Sequence, residues 1–270
     1  MHHRSIVRTI GKPVRQAASL YHRARYDWRA AIEEQNELFR QCGLSRNDGA
    51  AAVEQILRLH PDLASSMQSE HHVLFGAISA GKKVARILEI GTFDGRGTAM
   101  LANLFPNAQI DSIDLPDDHS AFKESYHRKD DSVRQAFIKK RNERLGAYPN
   151  VSFEQLNSVS ILNSPREKYD LIWVDGDHGY PTVAIDIVNA IRLLSAGGLV
   201  LCDDVTKTAT NSRHGANSMY ASIGAFQTLN ALANAGVVKF TLVFKRLTPK
   251  ANADPHRRKF IAVCSHAAAE

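Results

Sequence analysis

The sequence predicts an α/β protein: a doubly wound, mostly parallel seven-stranded sheet with its last strand antiparallel, behind a helical N-terminal extension. Two observations carry this reading. From residue 85 onward, short apolar runs alternate with amphipathic stretches of helical length, as expected of strands joined by crossover helices. Before that point there is no β-rich run. Composition agrees. With 44% hydrophobic and 23% charged residues over 270 positions, the chain suits one large domain with an appendage and excludes disordered, collagen-like and disulfide-scaffold classes. No apolar run approaches the ~18 residues of a membrane-spanning helix.

Taken in order, Tyr26–Cys42 and Asn47–Leu57 place apolar residues at helical spacing, and Pro61 ends the second stretch. A third helix runs from about Met67 to Ala80. Residues 1–66 are read as the extension and 67–270 as the sheet domain. The strands are Ile87–Ile90, Ile110–Ile113, Val151–Phe153, Leu171–Val174, Leu199–Cys202, Val237–Val243 and Phe260–Cys264. Helices fall between them at Thr98–Leu104, Val133–Arg144, Thr182–Leu194 and Ser222–Ala235. Only Lys245–Lys259 separates the last two strands, too little for a crossover helix, so they pair antiparallel.

Lys and Arg number 34 against 28 Asp and Glu, a net charge of +6. Arg4, Arg8, Lys12, Arg15, Arg23 and Arg25 all precede the first acid, Asp27. This Arg-rich start reads as a solvated or partner-covering arm, with a targeting or membrane-surface segment as the alternative. Cys42, Cys202 and Cys264 are odd in number and lack CxxC spacing, which fits a reducing, cytoplasmic setting. No basic patch is interleaved with aromatics and no Asn-Pro-Pro motif occurs, so a nucleic-acid partner is not expected.

In open α/β sheets ligands bind beyond the carboxyl ends of the strands, so chemistry is sought there. The first strand ends in Glu89-Ile90-Gly91-Thr92-Phe93-Asp94-Gly95-Arg96-Gly97. Its glycines allow a tight turn and close approach to a ligand. The spacing is not GxGxxG, and Glu89 disfavours a pyrophosphate, so a cationic, phosphate-free nucleoside fits better than a dinucleotide. The second strand ends at Asp114, placed to accept hydrogen bonds from ribose hydroxyls. The third leads to Asn157-Ser158, polar groups suited to an adenine edge. The fourth delivers Asp175, Asp177 and His178, and the fifth delivers Asp203-Asp204. Asp177 reads as a loop or capping residue. No cluster of Lys or Arg follows either acid pair closely in sequence. A hard divalent cation bound by Asp175, Asp203 and Asp204 is then the simplest relief of their repulsion; an acidic rim capping helix N-termini is the alternative. His178, three residues after Asp175, is placed to take a proton from an acceptor hydroxyl. His71-His72 reads as helix surface. The long Thr206–Tyr220 connection, with Asn211, Arg213 and His214, is a candidate acceptor lid or a solvent loop.

From about Met67 to the C-terminus these residues resemble a class I S-adenosylmethionine-dependent methyltransferase, and Glu89 to Gly95 is similar to that family's first motif. Within the class the pattern is similar to metal-dependent O-methyltransferases of the catechol and caffeoyl-CoA type. It resembles still more the macrocin/mycinamicin sugar O-methyltransferases and cephalosporin-hydroxylase-like proteins. The resemblance implies S-adenosylmethionine and Mg²⁺ as cofactors. It places Glu89, Gly91, Thr92, Phe93 and Gly95 at the methionine end, Asp114 on the ribose, and Asn157, Ser158 and Asp175 also against the cofactor. It further implies Asp175, Asp203 and Asp204 as Mg²⁺ ligands and His178, with Asp175, as the catalytic pair. Asp204 departs from the Asn of the catechol type. The implied partner is a small hydroxylated acceptor (a sugar, polyol or natural product), and a homo-oligomer is a further expectation. A hydroxylase-like relative and a non-catalytic cofactor-binding module are the alternative functions.

Overall fold

The computed structural model describes residue 17 and residues 19–64, 68–208, 217–218 and 221–267. The arm at residues 1–16 lies outside the described residues, and so does most of the candidate lid, including Asn211, Arg213 and His214. Helices α1 (Trp28–Gln41), α2 (Arg46–Leu59) and α3 (His71–Gly81) precede the sheet. The sheet then alternates with helices: β1 (Arg86–Ile90), α4 (Arg96–Leu104), β2 (Gln109–Asp114), α5 (Ser120–Glu124), α6 (Asp131–Leu145), β3 (Val151–Gln155), β4 (Tyr169–Val174), α7 (Thr182–Leu193) and β5 (Leu194–Val205). Two-residue strands β6 (Asn217–Ser218) and β7 (Ala221–Ser222) follow. After them come α8 (Ile223–Asn234), β8 (Val238–Phe244), the single turn α9 (Pro249–Asn252) and β9 (Phe260–His266). No helix among the described residues is long and apolar enough to cross a membrane.

Strands β3-β2-β1-β4-β5 pair in that order, all parallel. β9 joins β5 antiparallel, and β8 joins β9 antiparallel, so β8 runs parallel to β5. Seven strands of normal length thus form the expected sheet with one reversed strand, and the β6–β7 hairpin adds to the end of β5. The expected fifth strand was too short. It starts at Leu194, carries Gly197-Gly198 within it, and continues through Asp203-Asp204 to Val205.

Central strands are apolar on consecutive residues because both faces are covered. Ile87, Leu171, Trp173, Leu201 and Val263 face one layer; Leu88, Ile90, Ile172, Val174, Val200 and Cys202 face the other, beneath α7 and α8. The first layer is closed by the N-terminal helices, whose Phe39, Val53, Leu74 and Phe75 belong to the same apolar core. The α2–α3 crossing is close because both helices offer glycine there. A Cβ on Gly49 would lie 2.2 Å from the Val73 carbonyl oxygen, and one on Gly76 2.5 Å from that of Gly49.

His71-His72, expected on a helix surface, turns inward. His72 is buried, and the His71 ring stacks on Trp173 at 5.7 Å. Burial above all holds both rings neutral, His71 down to about 3 and His72 to about 2. α3 is apolar on nearly every side, so helical periodicity in the sequence left its buried face undetermined.

Gly49→Ala should destabilise the fold by about 1–3 kcal/mol through overpacking of backbone against backbone, read as a lower urea midpoint at unchanged slope. A stability equal to wild type would refute the close crossing.

Candidate active site at the carboxyl ends of the strands

Sheet register brings the site together. Ile90 is paired with Ile113 on one side and with Val174 on the other, so Gly91 lies between Asp114 and Asp175. Val174 in turn is paired with Cys202, which sets Asp175 beside Asp203. The contact at Gly91 is tight: its φ is +101°, and a Cβ there would stand 2.4 Å from the Asp175 carbonyl oxygen. The glycine loop therefore sits directly on the end of β4.

Within that loop the Phe93 N–H donates to Asp114 Oδ2 (2.9 Å), and the Leu115 N–H donates to Oδ1 (2.8 Å). Phe93 holds a left-handed φ of +51°, and its exposed ring meets those of Tyr126 and Phe137. Gly95, at φ +76°, starts α4 without a side-chain cap. Asn157 is committed locally, accepting from the Val159 N–H at 3.1 Å to cap a short 3₁₀ turn that begins at Ser158. Asp177 likewise accepts from the Gly179 N–H at 2.9 Å, a loop-capping contact.

Glu89, expected at the methionine end of the cofactor, is buried beneath the loop. It is 1% exposed and accepts from the Thr98 hydroxyl and from Ser112 Oγ (2.6 Å), which itself lies 2.6 Å from Thr92 Oγ1. Burial outweighs these hydrogen bonds and pushes its carboxyl up to about 8, so it is neutral at pH 7. Glu89, Thr92, Thr98 and Ser112 form an uncharged polar chain beneath the loop.

The acids of β4 and β5 behave differently. β5 is irregular between Cys202 and Val205, and Asp204 takes φ +52°, so Asp203 and Asp204 both turn into the cluster. His178 Nε2 lies 3.5 Å from Asp175 Oδ1 and 3.7 Å from Asp204 Oδ2, and the histidine is 7% exposed. Burial works against its cation, but Asp175, Asp204 and Asp203 together raise its pKa. The Asp175 carboxyl is pushed up to about 7, first by desolvation and then by Asp203.

Lys245 overturns the expectation that no basic residue compensates these acids. Its ammonium is hydrogen-bonded to Asp203 Oδ2 and, at 2.6 Å, to Asp204 Oδ1; the side chain is 2% exposed. Lys259 Nζ lies 3.0 Å from the same Asp204 oxygen. The residue immediately after β8 supplies the first lysine, 41 positions beyond Asp204. Sequence spacing hides it, but a signal existed: β8 runs parallel to β5, so the residue ending it belongs to the same row of strand ends. Asp186 on α7 was missed as well. It is 1% exposed, keeps both carboxylate oxygens without a hydrogen-bond partner among the described residues, and is pushed up to about 6, chiefly by burial.

As a magnesium site the donor set does not fit. A protonated ammonium has no lone pair to offer a metal, and it occupies the carboxylate oxygens that a hard cation would need. Among the described residues no group of three or more His, Cys, Asp or Glu side chains is arranged to hold a metal ion. Asp175, Asp203 and Asp204 do converge, but Asp203 and Asp204 close on Lys245 while Asp175 faces His178.

Residues 88–205 match the family model described as a methyltransferase domain. Two solved structures share the fold over nearly the whole chain. A candidate O-methyltransferase from Klebsiella pneumoniae is 17% identical, with 88% of this chain and 90% of that one covered at a TM-score of 0.50. The O-methyltransferase TomG from Streptomyces achromogenes, involved in tomaymycin synthesis and solved with its methyl donor, is 19% identical, with 87% and 98% covered at 0.51. No curated protein matches the sequence. Strand order, glycine loop and family match agree on the likeness to a methyltransferase domain. The matched residues run from within β1 to the end of β5.

The raised pKa of Glu89 has a signed consequence. Between the unfolded value of 4.5 and about 8 the native state holds a proton that the unfolded chain has released, so stability falls as pH rises through that window. The slope contributed cannot exceed ~1.4 kcal/mol per pH unit. Glu89→Gln should remove this slope in urea unfolding from pH 5 to 9; an undiminished slope in the variant would assign it to other groups.

Proposed function

We propose that this chain transfers the methyl group of S-adenosylmethionine to a hydroxyl of a small acceptor such as a sugar, polyol or natural product, with His178 as proton acceptor. The observation that carries this reading is the position of His178. It is held at the ends of β4 and β5, beside the strand end on which the glycine loop rests.

The loop suits the donor by its chemistry. Positive φ at Gly91, Phe93 and Gly95 shapes a close backbone approach, and Asp114, fixed by two backbone N–H groups, retains lone pairs for ribose hydroxyls. Neutral Glu89 adds no charge beneath it. When bound, the donor supplies a methyl carbon activated by its sulfonium sulfur. Gly91–Gly95 and Asp114 would orient it, while His178 takes the acceptor's hydroxyl proton as the oxygen–carbon bond forms and the carbon–sulfur bond breaks, releasing the sulfur as a neutral thioether. Asp175, 3.5 Å from Nε2, stabilises the imidazolium that results. Residues 67–270 act as the catalytic unit, with the preceding helices fastened to it. Mg²⁺ has no part in this scheme, because two of its three expected ligands, Asp203 and Asp204, are engaged by Lys245.

Incubation with methyl-labelled S-adenosylmethionine and a panel of polyhydroxylated acceptors should give labelled ether product. His178→Gln should lower kcat by about 10²–10⁴-fold while leaving cofactor affinity within about twofold. Full activity in that variant would remove His178 from the mechanism. Asp114→Ala should weaken cofactor binding roughly tenfold, the value of one hydrogen bond to a charged group, and calorimetric titration reads this directly.

A further inference from the structure

We propose that Lys245 is a built-in counterion standing where a divalent cation would otherwise be needed, and that the site works without metal. The inference rests on the methyl-transfer reading for its use, but its evidence is the geometry around one lysine.

The first argument is charge. Asp175, Asp203 and Asp204 bring three carboxylates together; Lys245 and Lys259 bring two ammoniums. The remaining deficit is at most one charge, and His178, within 3.7 Å of two of the acids, balances it when it takes up a proton. A divalent ion added to this set would leave it net positive beside the buried Lys245 ammonium.

The second argument is the number of open oxygens. Asp203 Oδ2 and Asp204 Oδ1 receive Lys245, while Asp204 Oδ2 and Asp175 Oδ1 face His178. Of the six carboxylate oxygens, Asp203 Oδ1, which is buried with no hydrogen-bond partner among the described residues, and Asp175 Oδ2 lie outside these contacts. They suit a donor such as an acceptor hydroxyl and fall short of the near-octahedral shell of oxygens that Mg²⁺ requires.

The third argument is that the lysine is fixed. Its N–H donates to the Lys259 carbonyl (2.9 Å), and its own carbonyl accepts from the Glu70 N–H (2.8 Å). One residue earlier, the buried Gln35 side chain of α1 bonds both backbone groups of Phe244. Its Nε2 donates to the carbonyl (2.9 Å), and its Oε1 accepts from the N–H (2.8 Å). Two elements of the N-terminal helical layer thus hold the strand end that presents the ammonium. Neutral His71 packs nearby, its pKa lowered by burial first and by Lys245 second. Arg246 follows in sequence.

The test uses the full-length protein after EDTA treatment, with Mn²⁺ as the probe and the loss of its free electron-paramagnetic-resonance signal as the readout. Wild type is expected to bind no stoichiometric Mn²⁺ up to about 1 mM, a level well above that at which many oxygen-ligand sites fill. Lys245→Met removes the charge and keeps the stem; it should create one Mn²⁺ site at least tenfold tighter, and adding Asp203→Asn should abolish it. Lys245→Gln serves the same purpose if the methionine variant does not fold. Stoichiometric Mn²⁺ on wild type that Asp203→Asn removes would overturn the proposal. Folded Lys245 variants that gain no Mn²⁺ would overturn it too. Titrating S-adenosylmethionine into the same EDTA-treated wild type keeps the two readings apart. Failure of the cofactor to bind counts against methyl transfer, whereas the Mn²⁺ result bears on the lysine alone.

Discussion

Charges gathered at the end of a parallel sheet must be neutralised, and in this protein the neutralising group is part of the chain. Parallel strands in register deliver their last residues to one edge, so Asp175 and Asp203 become neighbours through the pairing of Val174 with Cys202. Unpaired, such a group of buried carboxylates would cost several kcal/mol each. β8 runs in the same direction as β5 and ends at the same edge, where Lys245 meets two of the three acids.

That solution explains why the N-terminal helices are part of the molecule's core and no mere appendage. β8 is held laterally by β9, and Gln35 bonds Phe244 through both of its backbone groups. The Glu70 N–H then holds the carbonyl of Lys245 itself. Phe39, Val53 and Phe75 pack in the apolar layer beneath Trp173 and Val243, so burial of ordinary side chains fixes the helices that fix the lysine. Packing, sheet register and electrostatics converge on one ammonium.

The same few ångströms show two ways of accommodating acids. Glu89 lies under the glycine loop among hydroxyl donors with no cation beside it, and it is accommodated by keeping its proton. Asp203 and Asp204 stand among cations, and Lys245 holds the Asp203 carboxyl below its usual range despite full burial. Beneath the glycine loop the acid is therefore neutral, whereas at the ends of β4 and β5 the acids are ion-paired. In the proposed reaction this division would suit a cationic methyl donor on one side and proton removal from a hydroxyl on the other.

The sequence by itself determined the alternation of strands and helices, the reversed last strand and the glycine loop. It also determined the row Asp114, Asp175, His178 and Asp203-Asp204, because periodicity, turn residues and strand-end position are local properties. What covers those acids was not local. Lys245 lies 42 residues from Asp203, and only the pairing of β5 with β9 and of β9 with β8 brings them into contact. The inward turn of His71-His72 and the burial of Glu89 escaped for the same reason, since an apolar helix and a strand covered on both faces give no local sign of which neighbour each residue meets. Tertiary structure alone decided that the carboxylates close on an ammonium, because charge balance depends on distances in space that sequence spacing does not encode.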